Sequence, residues 1–364
     1  MTPNVGGGTP GTTSEDRVSE WAFIDKAKTM SQLQFGVIGL GRMGGGLGRQ
    51  ALEKGMKVVG NDLSEPPKDL VDKGLIFTED LKGFVENLAA PRVVFIYVPS
   101  GEAVDKLADE LTEVLEEGDI IVDGGNSYWG DSIRRHDRYL KKGMHFVDLG
   151  TSGGISGAET GACFMFGGES EAVRHVEPIL KELAVEGGYV HAGPPGAGHF
   201  VKLVHNGMEY GMLQAIGEGM ALLENSPLRL DISNVLDVYT HGSVIRSWLV
   251  ELMRDAYQEN RGMDGIDSYV DDTGEVNWLV NDAMCMEVSA PVIAAAVMQC
   301  INTRDKHHNT AKAVAMMRHG FGGHAYGPSQ VSQDERYRGR VGGYYFLGKD
   351  PNEIGHSSDK QEEH

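Results

Sequence analysis

A lysine, an asparagine and a glutamate share one helical spacing in residues 198–211. Read as a helix, this stretch puts Lys202, Asn206 and Glu209 at i, i+4 and i+7 on one face, with His205 beside them. Phe200, Val201, Leu203, Val204, Met208, Met212, Leu213 and Ile216 cover most of the remaining circumference. A helix that is apolar nearly all round is expected to be buried. Charged groups on such a helix are costly unless paired or facing a cleft. Two readings follow. One is a Lys202–Glu209 ion pair on a structural helix. The other is an active-site wall carrying a base, a hydrogen-bonding amide and an acid. A lysine acts as a base only after losing its proton, and desolvation on a buried face favours that.

The elements before this helix supply a cofactor for such chemistry. Residues 34–39 read as a short buried strand, and Gly39, Leu40, Gly41, Arg42, Met43 and Gly44 follow at once as GxGxxG before a helical segment reaching Lys54. The glycines permit a tight turn, close approach of a pyrophosphate and helix–strand packing, with the phosphates at the helix N-terminus. With 50 glycines in the chain, the pattern alone says little. Its position between strand and helix carries the reading. A second strand over 56–60 ends in Asn61, Asp62 and Leu63. Asp62 lies about 20 residues after Gly41, where an acidic side chain accepts from the ribose hydroxyls and repels a 2′-phosphate. The expected cofactor is therefore NAD in preference to NADP, although Asp62 also suits an ordinary loop or cap.

Strands and helices go on alternating. Residues 92–98 form an apolar run ending in Val98, Pro99 and Ser100. Residues 119–123 run into Gly124, Gly125, Asn126 and Ser127, and residues 145–148 into Thr151, Ser152, Gly153 and Gly154. Such small and polar clusters belong at the crevice edge of an open α/β sheet, although Asn126 and Ser152 also suit plain turns. Later strands are expected near 164–168 and 188–191. The fold class is α/β: a Rossmann-type doubly wound sheet over 31–195, then an all-α domain over 196–324. Its helices are expected at 197–225 (stopped by Pro227), 231–239, 243–259, 277–286, 291–301 and 310–318. Residues 1–30 read as a disordered extension and 325–364 as a polar tail.

The chain of 364 residues carries 53 Asp and Glu against 33 Lys and Arg, which argues against nucleic-acid and anionic-membrane partners. It has no apolar run of about 18 residues to span a bilayer. Cys163, Cys285 and Cys300 show no metal or CxxC spacing. No metal is expected, and free thiols suit a reducing, cytoplasmic setting.

Taken together, Gly39–Gly44, Asp123–Ser127, Ser152–Gly154, Lys202–Tyr210 and Phe321–His324 resemble the decarboxylating 6-phosphogluconate dehydrogenases, in family order and in a short form. The resemblance implies oxidative decarboxylation of 6-phosphogluconate to ribulose 5-phosphate in the pentose phosphate pathway. It implies Lys202 as general base, Glu209 as the acid that protonates C1, and Asn206 beside them. Asn126 would touch nicotinamide and substrate. Ser152, Gly153, Gly154, His205, Asn206 and Tyr210 would bind substrate, a phosphorylated sugar acid. Arg318 and His324 would reach it from the neighbouring subunit of a homodimer. One departure concerns the phosphate. Long-form members carry a lysine near the position of Thr273–Trp278, and this chain has none between Lys202 and Lys306. Arg304 is the nearest substitute. The rival reading is a non-decarboxylating β-hydroxyacid dehydrogenase of the 3-hydroxyisobutyrate type, which lacks the glutamate and the His205–Asn206 pair. A non-catalytic NAD-binding protein on the same fold would have lost the base or the acid.

Overall fold

The computed structural model describes residues 33–226 and 228–330. The expected extension over 1–30 lies outside the described residues, as does the expected tail beyond residue 330. The first part of the chain alternates as β1 (Gln34–Ile38), α1 (Arg42–Glu53), β2 (Lys57–Asn61), α2 (Lys68–Asp72), β3 (Ile76–Phe77), α3 (Leu81–Glu86), β4 (Val93–Ile96), α4 (Glu102–Leu111), β5 (Ile120–Asp123), α5 (Trp129–Leu140), β6 (His145–Ser152), α6 (Gly154–Thr160), β7 (Ala162–Gly167), α7 (Ser170–Leu183) and β8 (Ala184–Gly193).

These strands form one eight-stranded sheet in the order β3-β2-β1-β4-β5-β6-β7-β8. Every neighbouring pair is parallel except β6 and β7. The first six strands have the Rossmann order, and the chain reverses direction across the sheet between β1 and β4. Successive strand residues point to opposite faces, so both faces must be apolar. Phe35, Val37, Val58, Phe95 and Val122 pack on one side with Leu47 of α1 and Val176, Ile179 and Leu180 of α7. Ile38, Val59, Val94, Ile96 and Ile121 pack on the other with Phe84 of α3, Val104 and Leu111 of α4, and Tyr139 of α5. Each such side chain contributes about 1.5–3 kcal/mol on burial. The two-residue strand β3 escaped the sequence reading because it carries no periodicity.

Helices follow: α8 (Ala197–Glu224), α9 (Ile232–Thr240), α10 (Trp248–Asn260), α11 (Glu275–Cys285), α12 (Pro291–Thr303) and α13 (Asn309–Gly322). The helix expected from Ser243 begins at Trp248, because the Ser247 hydroxyl caps it by accepting from the Val250 N–H at 3.4 Å. α8 is buried mainly at its first turns, and beyond Gly207 only Met220 is buried. His199 is 2% exposed and Lys202 9%, whereas Met208 is 60% and Leu222 76%. The expectation of a helix buried all round thus fails beyond its beginning: in a single chain the remaining apolar face has too few partners.

Contacts divide the chain into two units. One contains the described residues up to Met208 together with Gly274–Ser289; the other contains Glu209–Thr273 and the described residues from Ala290. Within the first, Asp282 of α11 accepts from the Tyr128 hydroxyl (3.0 Å) and the Trp129 indole N–H (2.8 Å). Burial and this carboxylate push the Tyr128 phenol above its ordinary range. Within the second, Met220 of α8 packs with Ile232 and Leu236 of α9. Among the described residues no helix is long and apolar enough to cross a membrane.

The first unit also holds a fully buried ion pair. Arg135 of α5 sits 3.4 Å from the Asp123 carboxylate at the end of β5, and its guanidinium also donates to the Gly101 carbonyl (3.0 Å) and to Asp105 (3.0 Å). Removing one partner of such a pair strands a charge away from water. Arg135→Met should therefore lower unfolding free energy by about 3–5 kcal/mol, read as a lower urea midpoint at unchanged slope.

Candidate active site

A tight glycine turn lies where the chain reverses between β1 and β4. Gly39 has φ +93°, and a Cβ there would lie 2.4 Å from the Tyr97 carbonyl oxygen. A Cβ on Gly44 would lie 2.1 Å from the Gly39 carbonyl oxygen. The Tyr97 ring takes the space that a side chain on Gly124 would need, 2.4 Å from its ring carbon Cζ. Gly41 caps α1 without a side-chain acceptor, and the first turn has no acidic residue. Its N–H groups and the positive helix end suit a diphosphate. The Asp62 carboxylate is fixed beside this loop, accepting from the Leu40 N–H (2.6 Å) and the Ser64 N–H (2.9 Å). Asn61 is buried and donates to the Thr78 carbonyl. These features fit a dinucleotide. Leu40 is buried; Gly41, Arg42, Leu63, Pro99 and Ser100 are exposed, and Met43 and Val98 are half-buried.

On the other side of Tyr97 lies the predicted catalytic cluster. The Tyr97 hydroxyl is 3.3 Å from Thr151 Oγ1, and burial raises its pKa. The next residue, Ser152, ends β6, with its Oγ 3.1 Å from His205 Nε2. The sequence places Ser152 just past a strand ending at residue 148. Antiparallel pairing with β7 instead extends β6 to Ser152, opposite Cys163. His205 Nδ1 is 3.1 Å from Asn206 Oδ1 and 3.5 Å from Lys202 Nζ, and Lys202 Nζ donates to Asn206 Oδ1 at 2.6 Å. Lys202, His205, Asn206 and Ser152 thus form one hydrogen-bonded group. Gly153 (φ +111°) and Gly154 (φ +64°) follow at the start of α6, in backbone conformations that favour glycine. Asn126 is exposed in the loop after β5, whose shape is set by Asp123 accepting from Ser127 Oγ (2.7 Å) and the Gly125 N–H (3.1 Å).

Glu209 and Tyr210 follow in α8 and belong to the second unit, as do Arg304, Arg318 and His324. Arg318 and His324 are exposed. Arg304 is already engaged. It pairs with Asp272 at 3.0 Å and donates to the Val270 carbonyl at 2.9 Å, and the Asp272 hydrogen bond raises its pKa.

Sequence reasoning missed the groups beneath the cluster. The Asp148 carboxylate on β6 accepts from the Gly196 N–H (2.7 Å) and the His199 N–H (2.8 Å). Burial pushes its pKa up, against His199 and the two N–H groups. Gly150 lies against the Lys202 stem. The period-two face Asp148–Gly150–Ser152 was the available signal, hidden because only Asp148 stood within the expected strand.

With this geometry in hand, comparison with known proteins is decisive. Residues 34–193 match the profile described as the NAD-binding domain of 6-phosphogluconate dehydrogenase, and residues 198–336 its C-terminal domain. A Bacillus subtilis protein, provisionally named the 6-phosphogluconate dehydrogenase YqeC, is 42% identical over 294 residues, covering 80% of this chain and 99% of that protein. The chain belongs to the 6-phosphogluconate dehydrogenase family. Another relative is the NAD(+)-dependent decarboxylating 6-phosphogluconate dehydrogenase of Haloferax volcanii, 36% identical over 80% of this chain and 98% of its own. A Plasmodium falciparum 6-phosphogluconate dehydrogenase, solved as apo form and with NADP+ and 6-phosphogluconate, superposes at a TM-score of 0.70 with 27% identity, over 84% of this chain and 68% of that one. Family membership makes the first domain an NAD(P)-binding domain and supports an oxidoreductase.

Replacing Gly44 tests the cradle. In Gly44→Ala the new methyl group meets backbone, which cannot swing aside. Fluorescence titration with NADH should show a Kd raised by about tenfold or more.

Proposed function

We propose that the chain oxidises 6-phospho-D-gluconate and decarboxylates it to D-ribulose 5-phosphate and CO2, with NAD(P) as oxidant and NAD preferred. The observation carrying this reading is the hydrogen-bonded group of Lys202, His205, Asn206 and Ser152 in a 6-phosphogluconate dehydrogenase family chain.

In this reading neutral Lys202 takes the proton of the substrate 3-hydroxyl. The bound dinucleotide supplies the nicotinamide that accepts the hydride leaving C3. Lys202, now an ammonium, donates a hydrogen bond to the new C3 carbonyl oxygen. The C1–C2 bond then breaks, CO2 departs, and the electron pair of that bond forms the C2=C3 double bond of an enediol while the C3 oxygen takes the Lys202 proton, which it returns when the enediol becomes the ketone. Glu209, seven residues after Lys202 in the same helix, protonates the carbon that becomes C1 of the product. Asn206 holds the Lys202 amine in place through the 2.6 Å hydrogen bond. Ser152, Gly153, Gly154, His205 and Tyr210 bind substrate, and Asn126 meets both substrate and nicotinamide. The preference for NAD follows from Asp62, whose carboxylate would repel a 2′-phosphate.

We further propose a homodimer in which Arg318 and His324 serve the neighbouring subunit's site. Exposed apolar side chains on α12 and α13 support it: Val292, Met298, Met316, Met317 and Phe321. With Arg304 engaged by Asp272 and no lysine at Thr273–Trp278, the substrate phosphate needs other donors, and Arg318 is one.

The test is reduced-nicotinamide absorbance with 6-phosphogluconate, run with NAD and with NADP while CO2 is trapped. Stoichiometric CO2 and a higher kcat/KM with NAD are expected. Reduction only with unphosphorylated hydroxy acids would give the 3-hydroxyisobutyrate-type reading instead. Lys202→Ala should lower kcat by roughly a thousandfold or more while the Kd for NADH stays as in the unaltered protein; turnover near the original rate would remove Lys202 as the base.

A further inference from the structure

We propose that Asp148 and Gly150 are positioning residues that set where the Lys202 amine stands. The proposal rests on the reading of Lys202 as the base. Asp148, Gly150 and Ser152 occupy one face of β6, since every second strand residue points the same way. Each meets a successive part of α8. Asp148 takes the N–H groups of Gly196 and His199, Gly150 meets Lys202, and Ser152 meets His205. Two strand residues advance about 6.6 Å and one helical turn about 5.4 Å, so strand and helix keep step over this short stretch.

The seating tolerates little slack. A Cβ on Gly198 would lie 2.5 Å from the Asp148 carbonyl oxygen, 2.7 Å from the Gly167 nitrogen and 2.7 Å from the Met165 carbonyl oxygen. The first turn of α8 therefore rests directly on the backbone of β6 and β7. A Cβ on Gly150 would lie 2.4 Å from Lys202 Cβ and 2.9 Å from Lys202 Cγ. Any side chain at position 150 must push the lysine stem off the strand. Asp148, 1% exposed, accepts from two N–H groups at this helix start. Its two oxygens satisfy donors that a helix start leaves without intrahelical partners, and its charge complements the positive helix end. An asparagine would keep one acceptor but turn an NH2 group toward the second N–H. The turn would loosen three residues before Lys202.

The test uses Asp148→Asn and Gly150→Ala in the full chain, with two readouts. One is kcat with 6-phosphogluconate beside the Kd for NADH. The other is the labelling rate of the Lys202 amine by trinitrobenzenesulfonate without substrate, mapped by peptide mass spectrometry against Lys57 as an exposed control. In each folded variant we expect kcat to fall by roughly tenfold to a hundredfold with the NADH Kd unchanged, and Lys202 labelling to change several-fold while Lys57 labelling does not. A folded variant with unchanged Lys202 labelling overturns the proposal, even if its turnover has fallen. Unchanged kcat does so too. If Asp148→Asn does not fold, Gly150→Ala decides, because it leaves the carboxylate in place. If the unaltered protein does not turn over 6-phosphogluconate, the labelling arm alone decides, so loss of the proposed function and loss of this proposal read differently.

Discussion

The seating of α8 on β6 is the contact on which the candidate site depends. A helix start brings several N–H groups without partners, and here they are driven against the backbone of two strands with no room for a side chain at Gly198. Such an approach is stable only if something on the strand accepts those protons, and Asp148 does. Once the first turn is fixed, one further turn brings Lys202 over Gly150 and the next brings His205 to Ser152. The lysine is buried because its helix begins in the sheet, not because the helix is apolar all round.

A second constraint ties the cofactor side to this cluster. Tyr97 follows β4 at the reversal of the sheet, where its carbonyl oxygen takes the room of a side chain on Gly39 and its ring that of a side chain on Gly124. Its hydroxyl reaches Thr151, the neighbour of Ser152. A tyrosine in an otherwise apolar strand run therefore spans from the glycine loop to Thr151, beside the residue that holds His205. The loop carrying Asn126 is braced differently, by the buried Asp123 with Arg135 behind it. The same guanidinium also holds the loop after β4 through the Gly101 carbonyl, so the loops after β4 and β5 share one cation.

The second unit is governed by a shortage of partners. Its helices leave methionine, valine and phenylalanine side chains in solvent, and α13 has no buried residue. Exposed apolar faces of this kind mark interaction surfaces in general. Arg304 shows the opposite case: a cation near the expected phosphate region whose guanidinium an aspartate of the same unit has taken.

By itself the sequence determined the alternation of strands and helices, the glycine loop after β1, the acidic residue after β2 and the helical spacing of Lys202, His205 and Asn206. All of these are local: they rest on period, turn chemistry and spacing along a few turns of chain. Only the tertiary structure decided the antiparallel pairing that lengthens β6 to Ser152, the cap that Asp148 gives to a helix about 50 residues later, and the fit of Gly150 against Lys202. The one local trace, the alternation Asp148–Gly150–Ser152, is cut short in the sequence by a strand that ends at Asp148. Asp148 ends the strand read from the sequence and Gly150 lies just past it, with no role for either, because the donors and the lysine stem they meet are brought to them only when the sheet closes and the helix comes down upon it.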